Sequence, residues 1–387
     1  MDDAARSEKF LEMKMSGNTE ATRKLRKAIS ELNRTEAINK EPFKKAILIE
    51  GPTGVGKEFT ARTICAHWIW LRWSREEQDA YLGGNQVAAR QLANELEDQF
   101  YVEPVTNLRG DVGFAELVGC RHGAFTGARE SVGILGSKRT HILLDEIPYA
   151  TPELQGQLLK IVQHRRRRPI GGGVDDESEV KARIIFAGNR PLADEVKRNG
   201  FREDLYFRMG SRLELPPLRG NRERIQELLS DLTTETLKRK ICPERFIVQP
   251  TEADVAWAVG HPWPGNVRQL ELTVDDWVSR TILDRQPVPL RDCLASSGDS
   301  RRSSDQLSHE AITLSMVIEH LKAEDRTYGS FGEIGEHFHG LFAKALFHVH
   351  KKGLVDQATL ERCFGKKLKS AIDQARKYYD DKFETKL

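Results

Sequence analysis

A chain of 387 residues with 39% apolar, 30% charged and 7% aromatic residues is long enough for two or three domains. It is apolar enough to bury a sizeable core, which excludes a wholly disordered chain. No run approaches the roughly 18 consecutive apolar residues of a membrane span, and the start MDDAARSEKF lacks the apolar core of a signal peptide, so a cytoplasmic location without a membrane partner is expected. Sixty Lys and Arg against 58 Asp and Glu leave a net charge of +2, so any nucleic-acid contact must come from a local patch. Cys65, Cys120, Cys242, Cys293 and Cys363 are too dispersed to ligate a metal together and suit a reducing compartment.

Residues 1–44 read as a polar lead-in with one helix, over 21–34, where Leu25, Ile29 and Leu32 recur at spacings of four and three. Ala46–Glu50 reads as a buried strand ended by a turn at Gly51-Pro52, with a helix following over 57–73. The charged stretch 74–99, interrupted by Gly83 and Gly84, reads as a helical pair or an exposed insertion. A strand over 101–105, a glycine-rich stretch around 110–135, a strand over 141–144, a helix over 152–162 and a strand over 182–187 follow. Short apolar strands alternating with helices predict an α/β domain over 45–216 with a mostly parallel sheet covered on both faces. The pattern over 217–285 is helical (222–239, 251–259 and 266–281), with a break at His261-Pro262-Trp263-Pro264-Gly265. Residues 286–310 read as a linker, and 311–387 as a small, mostly helical C-terminal domain; no internal repeat is visible.

The chemistry is concentrated at three predicted strand ends. Gly51, Pro52, Thr53, Gly54, Val55, Gly56 and Lys57 give the spacing G-x-x-x-x-G-K between a strand and a helix. Such a loop turns backbone N–H groups towards phosphates, the helix start adds its dipole, and Lys57 supplies a point charge. Glu58 stands where many phosphate loops carry a hydroxyl for Mg2+, and Thr60 is near but not equivalent. The apolar strand before Asp145 and Glu146 places two carboxylates at its end: Asp145 to hold Mg2+ through its water shell, Glu146 to polarise the attacking water. Alone, an Asp-Glu pair is more often a solvated turn; 88 residues beyond a phosphate loop, nucleotide hydrolysis is the better reading. Asn189, after a third apolar strand, is placed to position water and report the terminal phosphate.

Together these segments resemble the AAA+ ATPase domain of bacterial enhancer-binding proteins, the activators of sigma-54 RNA polymerase. The matching segments are GPTGVGKE (51–58), GAFTGA (123–128), LLDEI (143–147), AGNRPL (187–192), GFREDLYFR (200–208), LPPLRGNRERI (215–225) and WPGNVRQLE (263–271). The resemblance spans about residues 45–285, and GAFTGA is its discriminating signature. It implies an AAA+ P-loop NTPase with a parallel sheet core and a helical lid, binding ATP with Mg2+ and hydrolysing it to ADP and phosphate. Glu58 is no departure, because glutamate is common there in the family. Gly123, Ala124, Phe125, Thr126, Gly127 and Ala128 are expected to form a movable loop touching the sigma factor and its promoter complex, with Phe125 and Thr126 at its tip. Arg202 and Arg208 resemble fingers reaching the γ-phosphate of a neighbouring subunit, and Arg268 a lid arginine that senses nucleotide in cis. Fingers acting in trans imply a homo-oligomeric ring, by resemblance a hexamer. Residues 107–119 (NLRGDVGFAELVG) are closest to activators of the RNA-repair-operon type.

Several features depart from that pattern. Pro104 stands where members usually place an asparagine that restrains the catalytic glutamate, and Asn107 could substitute only with a shift of register. The lead-in of 44 residues is too short for a sensor domain. His164 and four arginines, Arg165–Arg168, precede the acidic run 175–179; this segment is either a DNA or acidic-partner contact or a self-neutralised hairpin. In the C-terminal region, the basic helix expected within 359–379 is either a DNA reader or a packing helix, and His337, His339, His348 and His350 are wrongly spaced for a metal. Besides a sigma-54 activator, the sequence is compatible with an ATPase of the same family turned to a non-sigma partner, such as a defence assembly. A non-hydrolysing nucleotide-gated scaffold is disfavoured by the intact Lys57, Asp145, Glu146, Arg202 and Arg208.

Overall fold

A computed structural model describes residues 2–40, 42–240 and 248–294. The expectations for 311–387, including its basic helix and its histidines, and for most of the 286–310 linker lie outside the described residues. The strands are β1 (Ala46–Glu50), β2 (Phe100–Pro104), β3 (His141–Asp145), β4 (Arg166–Arg167), β5 (Ser178–Glu179), β6 (Arg183–Gly188) and β7 (Met209–Glu214). Five of them form one parallel sheet in the order β2-β3-β6-β1-β7, while β4 and β5 pair antiparallel as a separate ribbon.

The sheet is buried on both sides, and its sequence shows why. Ile47–Ile49, Ile142–Leu144 and Ile184–Ala187 are unbroken apolar runs, and every one of these residues is buried. Alternate residues face opposite layers. Leu48, Ile142, Leu144, Ile184 and Phe186 enter one core, and Ile47, Ile49, Leu143, Ile185 and Ala187 the other. The second core is closed by α1 (Asp3–Lys14), α2 (Glu20–Ala37), α3 (Lys57–Leu71), α4 (Arg75–Leu82) and α5 (Gln86–Gln99). The first is closed by α6 (Gly110–Val118), α7 (Pro152–His164), α8 (Leu192–Lys197) and α9 (Glu203–Arg208). Three lid helices follow: α10 (Arg222–Arg239), α11 (Glu252–Gly260) and α12 (Asn266–Asp284). This is the AAA+ arrangement of a parallel α/β sheet with a smaller helical region behind it.

Among the elements the structure adds to those predicted from sequence are α1, α6 and β7. The lead-in holds two helices; α1 begins at the cap Asp2, whose side chain accepts from the Ala5 amide, and buries Phe10 and Leu11. Residues 110–118 are helical despite Gly110 and Gly113, because Leu117 and Val118 gain a buried face. β7 is an edge strand with Met209 and Leu213 inward and polar residues between, too polar a run to stand out. The stretch 74–99 is a helical pair whose Tyr81, Leu82, Ala88 and Leu92 are buried beside α3.

Beneath these helices a polar chain is fully enclosed. Arg183 donates to Asn33 Oδ1; Asn33 Nδ2 lies 2.8 Å from the Ile64 carbonyl and 3.2 Å from His67 Nδ1; His67 Nε2 lies 2.6 Å from Ser7 Oγ. With Nδ1 accepting, His67 is the neutral Nε2–H tautomer. Burial pushes its pKa from 6.5 down to about 3, and the same desolvation lowers buried Arg183 to about 10.

The chain divides into two compact units: Met1–Ile241 with Gln249–Asp275 and Pro289–Ala295, and Cys242–Val248 with Asp276–Val288 and Ser296–Leu387. In the second, the described residues are Val248, the end of α12 and the segment up to Val288, where Trp277 Nε1 donates to the Val288 carbonyl at 2.6 Å.

Candidate functional site

The sheet order sets the ends of β3, β6 and β1 side by side, at the edge where open parallel sheets receive ligands. The loop 51–56 leaves β1 there, anchored by the Gly51 amide on the Gly188 carbonyl at 3.2 Å. Lys57 opens α3 and turns back over the loop, its Nζ 2.9 Å from the Gly51 carbonyl and 3.2 Å from the Pro52 carbonyl. Burial lowers the pKa of this amine, while the charges of Asp145 and Glu146 pull it back up. Those three side chains therefore share one electrostatic neighbourhood. Thr60 is no stand-in for a metal hydroxyl, because its Oγ1 donates to the Gly56 carbonyl at 3.0 Å. Glu58 faces outward and pairs with Arg62 at 2.9 Å.

The loop is clamped from the lid side. Gly54 lies at φ +76°, and a Cβ there would stand 2.3 Å from the Gly265 carbonyl, so only glycine fits. The Arg268 amide donates to the Gly54 carbonyl at 3.1 Å, and Asn266 Nδ2 to the Thr53 carbonyl at 2.9 Å. Asn266 also accepts from the Leu218 amide at 2.9 Å and is buried at φ +53°. The Arg268 side chain starts beside Gly54 and is exposed. Sequence reading singled out Arg268 and missed Asn266; a Pro-Gly-Asn turn opening a helix is the signal that marks it.

Asp145 ends β3 and accepts from the Glu146 amide at 2.7 Å, and Glu146 turns at φ 59°, ψ 33° into a 3-10 turn over Ile147–Tyr149. Asn189 follows β6, with its Nδ2 3.4 Å from the Tyr149 hydroxyl. Pro104 is opposite Asp145 in the β2–β3 register. The Asn107 amide donates to Glu103 at 3.0 Å, so Asn107 does not take the restraining place at Glu146. Among the described residues no group of three or more His, Cys, Asp or Glu is arranged to hold a metal by itself. Asp145 at a strand end fits a cation carried in by phosphates and held largely through water.

Among the described residues neither finger candidate hydrogen-bonds to this chain's own phosphate loop. Arg202 caps the six-residue helix α9 and is held by Asp204 through Nε at 3.0 Å and Nη2 at 2.8 Å. Gln155, buried in α7, fixes its backbone by accepting from the Arg202 amide at 2.8 Å. Arg208, the last residue of α9, is exposed beside Phe207, which is 68% exposed.

The loop 123–128 stands on α6. Gly123 and Gly127 have φ of +74° and +84° with open space where a Cβ would be, and Thr126 is exposed. Phe125 is not a free tip: it is half-buried against a small cluster with Ala115, Cys120, Ala128 and Ile170. An aromatic ring on a glycine-framed loop lowers its exposed area by folding onto the nearest apolar surface. The basic run beside it makes contacts within the chain. Arg166 and Arg168 pair with Glu177 at 3.3 and 2.8 Å, Arg165 donates to the Val180 carbonyl, and Arg167 to the Val118 carbonyl. The segment is an antiparallel ribbon in which Arg166 and Arg168 share Glu177.

Among the described residues no helix is long and apolar enough to cross a membrane. The pattern of the sigma-54 interaction domain matches residues 15–213. The chain is 27% identical over 285 residues to the DNA-binding transcriptional regulator NtrC of Rhizobium meliloti, covering 71% of this chain and 51% of that protein. It is 32% identical over 262 residues to the Nif-specific regulatory protein of Klebsiella pneumoniae, covering 66% and 42%. It thus spans about half the length of such curated relatives. The fold matches that of NtrX from Brucella abortus in complex with ADP, with a TM-score of 0.53 at 22% identity over 92% of this chain and 68% of that one. With its phosphate loop, strand-end carboxylates and glycine-framed loop in one α/β frame, the chain belongs to the sigma-54 interaction domain family of AAA+ proteins.

Proposed function

We propose that the chain is an ATP-hydrolysing transcription activator that remodels the closed promoter complex of sigma-54 RNA polymerase. The observation that carries the reading is the meeting of Lys57, Asp145 and Glu146 beyond the ends of β1 and β3, which flank β6, in a chain that also presents the loop 123–128. Lys57 exchanges its two carbonyl partners for the terminal phosphates of ATP, and the loop amides of 51–58 take the rest. Asp145 holds Mg2+ through water, and Glu146 draws a proton from the attacking water, which Asn189 helps to place. Bound Mg2+ supplies charge neutralisation on the phosphate oxygens. Arg202 and Arg208 complete the site of an adjacent copy in a ring, most simply a hexamer, and Arg268 follows the nucleotide from the lid.

Closure around nucleotide then releases Phe125 from its small cluster, so that Phe125 and Thr126 meet the sigma factor. The test is reconstituted promoter opening with sigma-54 polymerase and ATP. Phe125→Ala and Thr126→Ala are expected to hydrolyse ATP within about twofold of the unsubstituted chain and to lose open-complex formation, as binding energy from one loop would predict. Unimpaired opening in both variants contradicts this role for the loop. ATP turnover without promoter opening by the unsubstituted chain would favour a non-sigma partner.

A further inference from the structure

Tyr149 lies one 3-10 turn beyond Glu146, and its amide donates to the Glu146 carbonyl at 2.9 Å. Its hydroxyl is the described partner of Asn189 Nδ2, at 3.4 Å. The other end of that amide, Asn189 Oδ1, is buried and has no partner among the described residues. The ring is fixed from a second side: the Arg190 guanidinium stands 4.8 Å from its centre, and Arg190 is itself held by Glu195 at 3.2 Å. The turn and the end of β6 are packed closely, since a Cβ added at Gly188 would lie 3.5 Å from Pro148. One phenol thus joins the loop that carries Glu146 to the strand end that carries Asn189.

We propose that Tyr149 is a positioning residue for hydrolysis. It accepts from Asn189 Nδ2 and so fixes the sense of the amide, keeping the buried Oδ1 as its acceptor end, which is presented to the attacking water once nucleotide binding opens it. Because the same residue is tied to the Glu146 carbonyl, base and water-binding amide are set by one short turn. An amide without that partner can flip, which would present a donor instead of an acceptor to the water. The half-exposed ring, at 47%, adds little to the core, so its removal is felt in the chemistry more than in folding. The inference rests on the ATPase reading above.

The experiment is steady-state ATP turnover by the full chain with Tyr149→Phe, Asn189→Ala and the double variant, beside thermal melting of each. Tyr149→Phe keeps the ring under Arg190 and removes only the hydroxyl. It is expected to lower kcat about five- to tenfold, with KM for ATP and the melting midpoint unchanged. The double variant is expected to be no slower than Asn189→Ala, because the phenol acts only through that amide. Unchanged kcat in Tyr149→Phe, losses that multiply in the double variant, or a rise in KM with unchanged kcat overturns the proposal. Absence of turnover in the unsubstituted chain would instead overturn the ATPase reading itself.

Discussion

At the scale of single residues, Arg202 and Asp204 matter most. The carboxylate raises the pKa of the guanidinium, and the guanidinium lowers that of the carboxylate. Both side chains are about half exposed, and ion pairs in water contribute little net stability. A phosphate offers the same forked acceptor geometry as Asp204, so under the proposed function the pair is a resting position from which Arg202 turns to a neighbour's nucleotide. Arg202→Ala is expected to lower ATP turnover at least about tenfold, and Asp204→Asn to stay within about twofold. Phosphate release at saturating ATP measures both; equal losses in the two variants would assign the pair a structural role only.

Among elements, the phosphate loop is tied to the first turn of α12: Asn266 reaches the Thr53 carbonyl and the Leu218 amide, and the Arg268 amide holds the Gly54 carbonyl. Asn266→Ala removes two buried hydrogen bonds and is expected to cost about 1–3 kcal/mol of stability. It is also expected to raise KM for ATP more than it lowers kcat, which urea unfolding and initial rates check. A variant with unaltered KM would mean that the lid does not tune the loop.

The same elements show what a sequence displays and what it conceals. β1, β3 and β6 were legible because central parallel strands are continuous apolar runs, and the phosphate loop because its chemistry is local. β7 escaped notice as an edge strand with few inward residues, and α6 because glycines mask an apolar helix face. The Pro-Gly-Asn turn marks Asn266 locally, but its partner Thr53 is 213 residues away, so the turn gives no sign of what it contacts. The resemblance placed Phe125 at a loop tip, yet the apolar patch it rests on is assembled partly by the distant Ile170.

For the whole molecule, two consequences follow from how the layers close. The helices α1 and α2 bury the chain Arg183–Asn33–His67–Ser7, with His67 neutral. Its folded pKa of about 3 lies below the ordinary 6.5, so between those values the unfolded chain binds the extra proton. Stability is therefore full above about pH 6.5 and declines as pH falls towards 3, and buried His141, also shifted down by desolvation, acts in the same sense. Denaturant unfolding is expected to show at least about 1 kcal/mol less stability at pH 5.5 than at pH 7.5; a flat profile contradicts a neutral buried His67.

The second consequence concerns assembly. Arg202 caps α9 and Arg208 ends it, both with exposed side chains, and the proposed function has them act in an ATP site shared between copies. Mixing Glu146→Gln with Arg202→Ala tests this directly, since each variant alone lacks one half of every site. If the halves come from different copies, the mixture recovers about a quarter of the unsubstituted turnover, as random neighbours in a ring would give. No recovery in mixed, assembled protein would contradict the shared site.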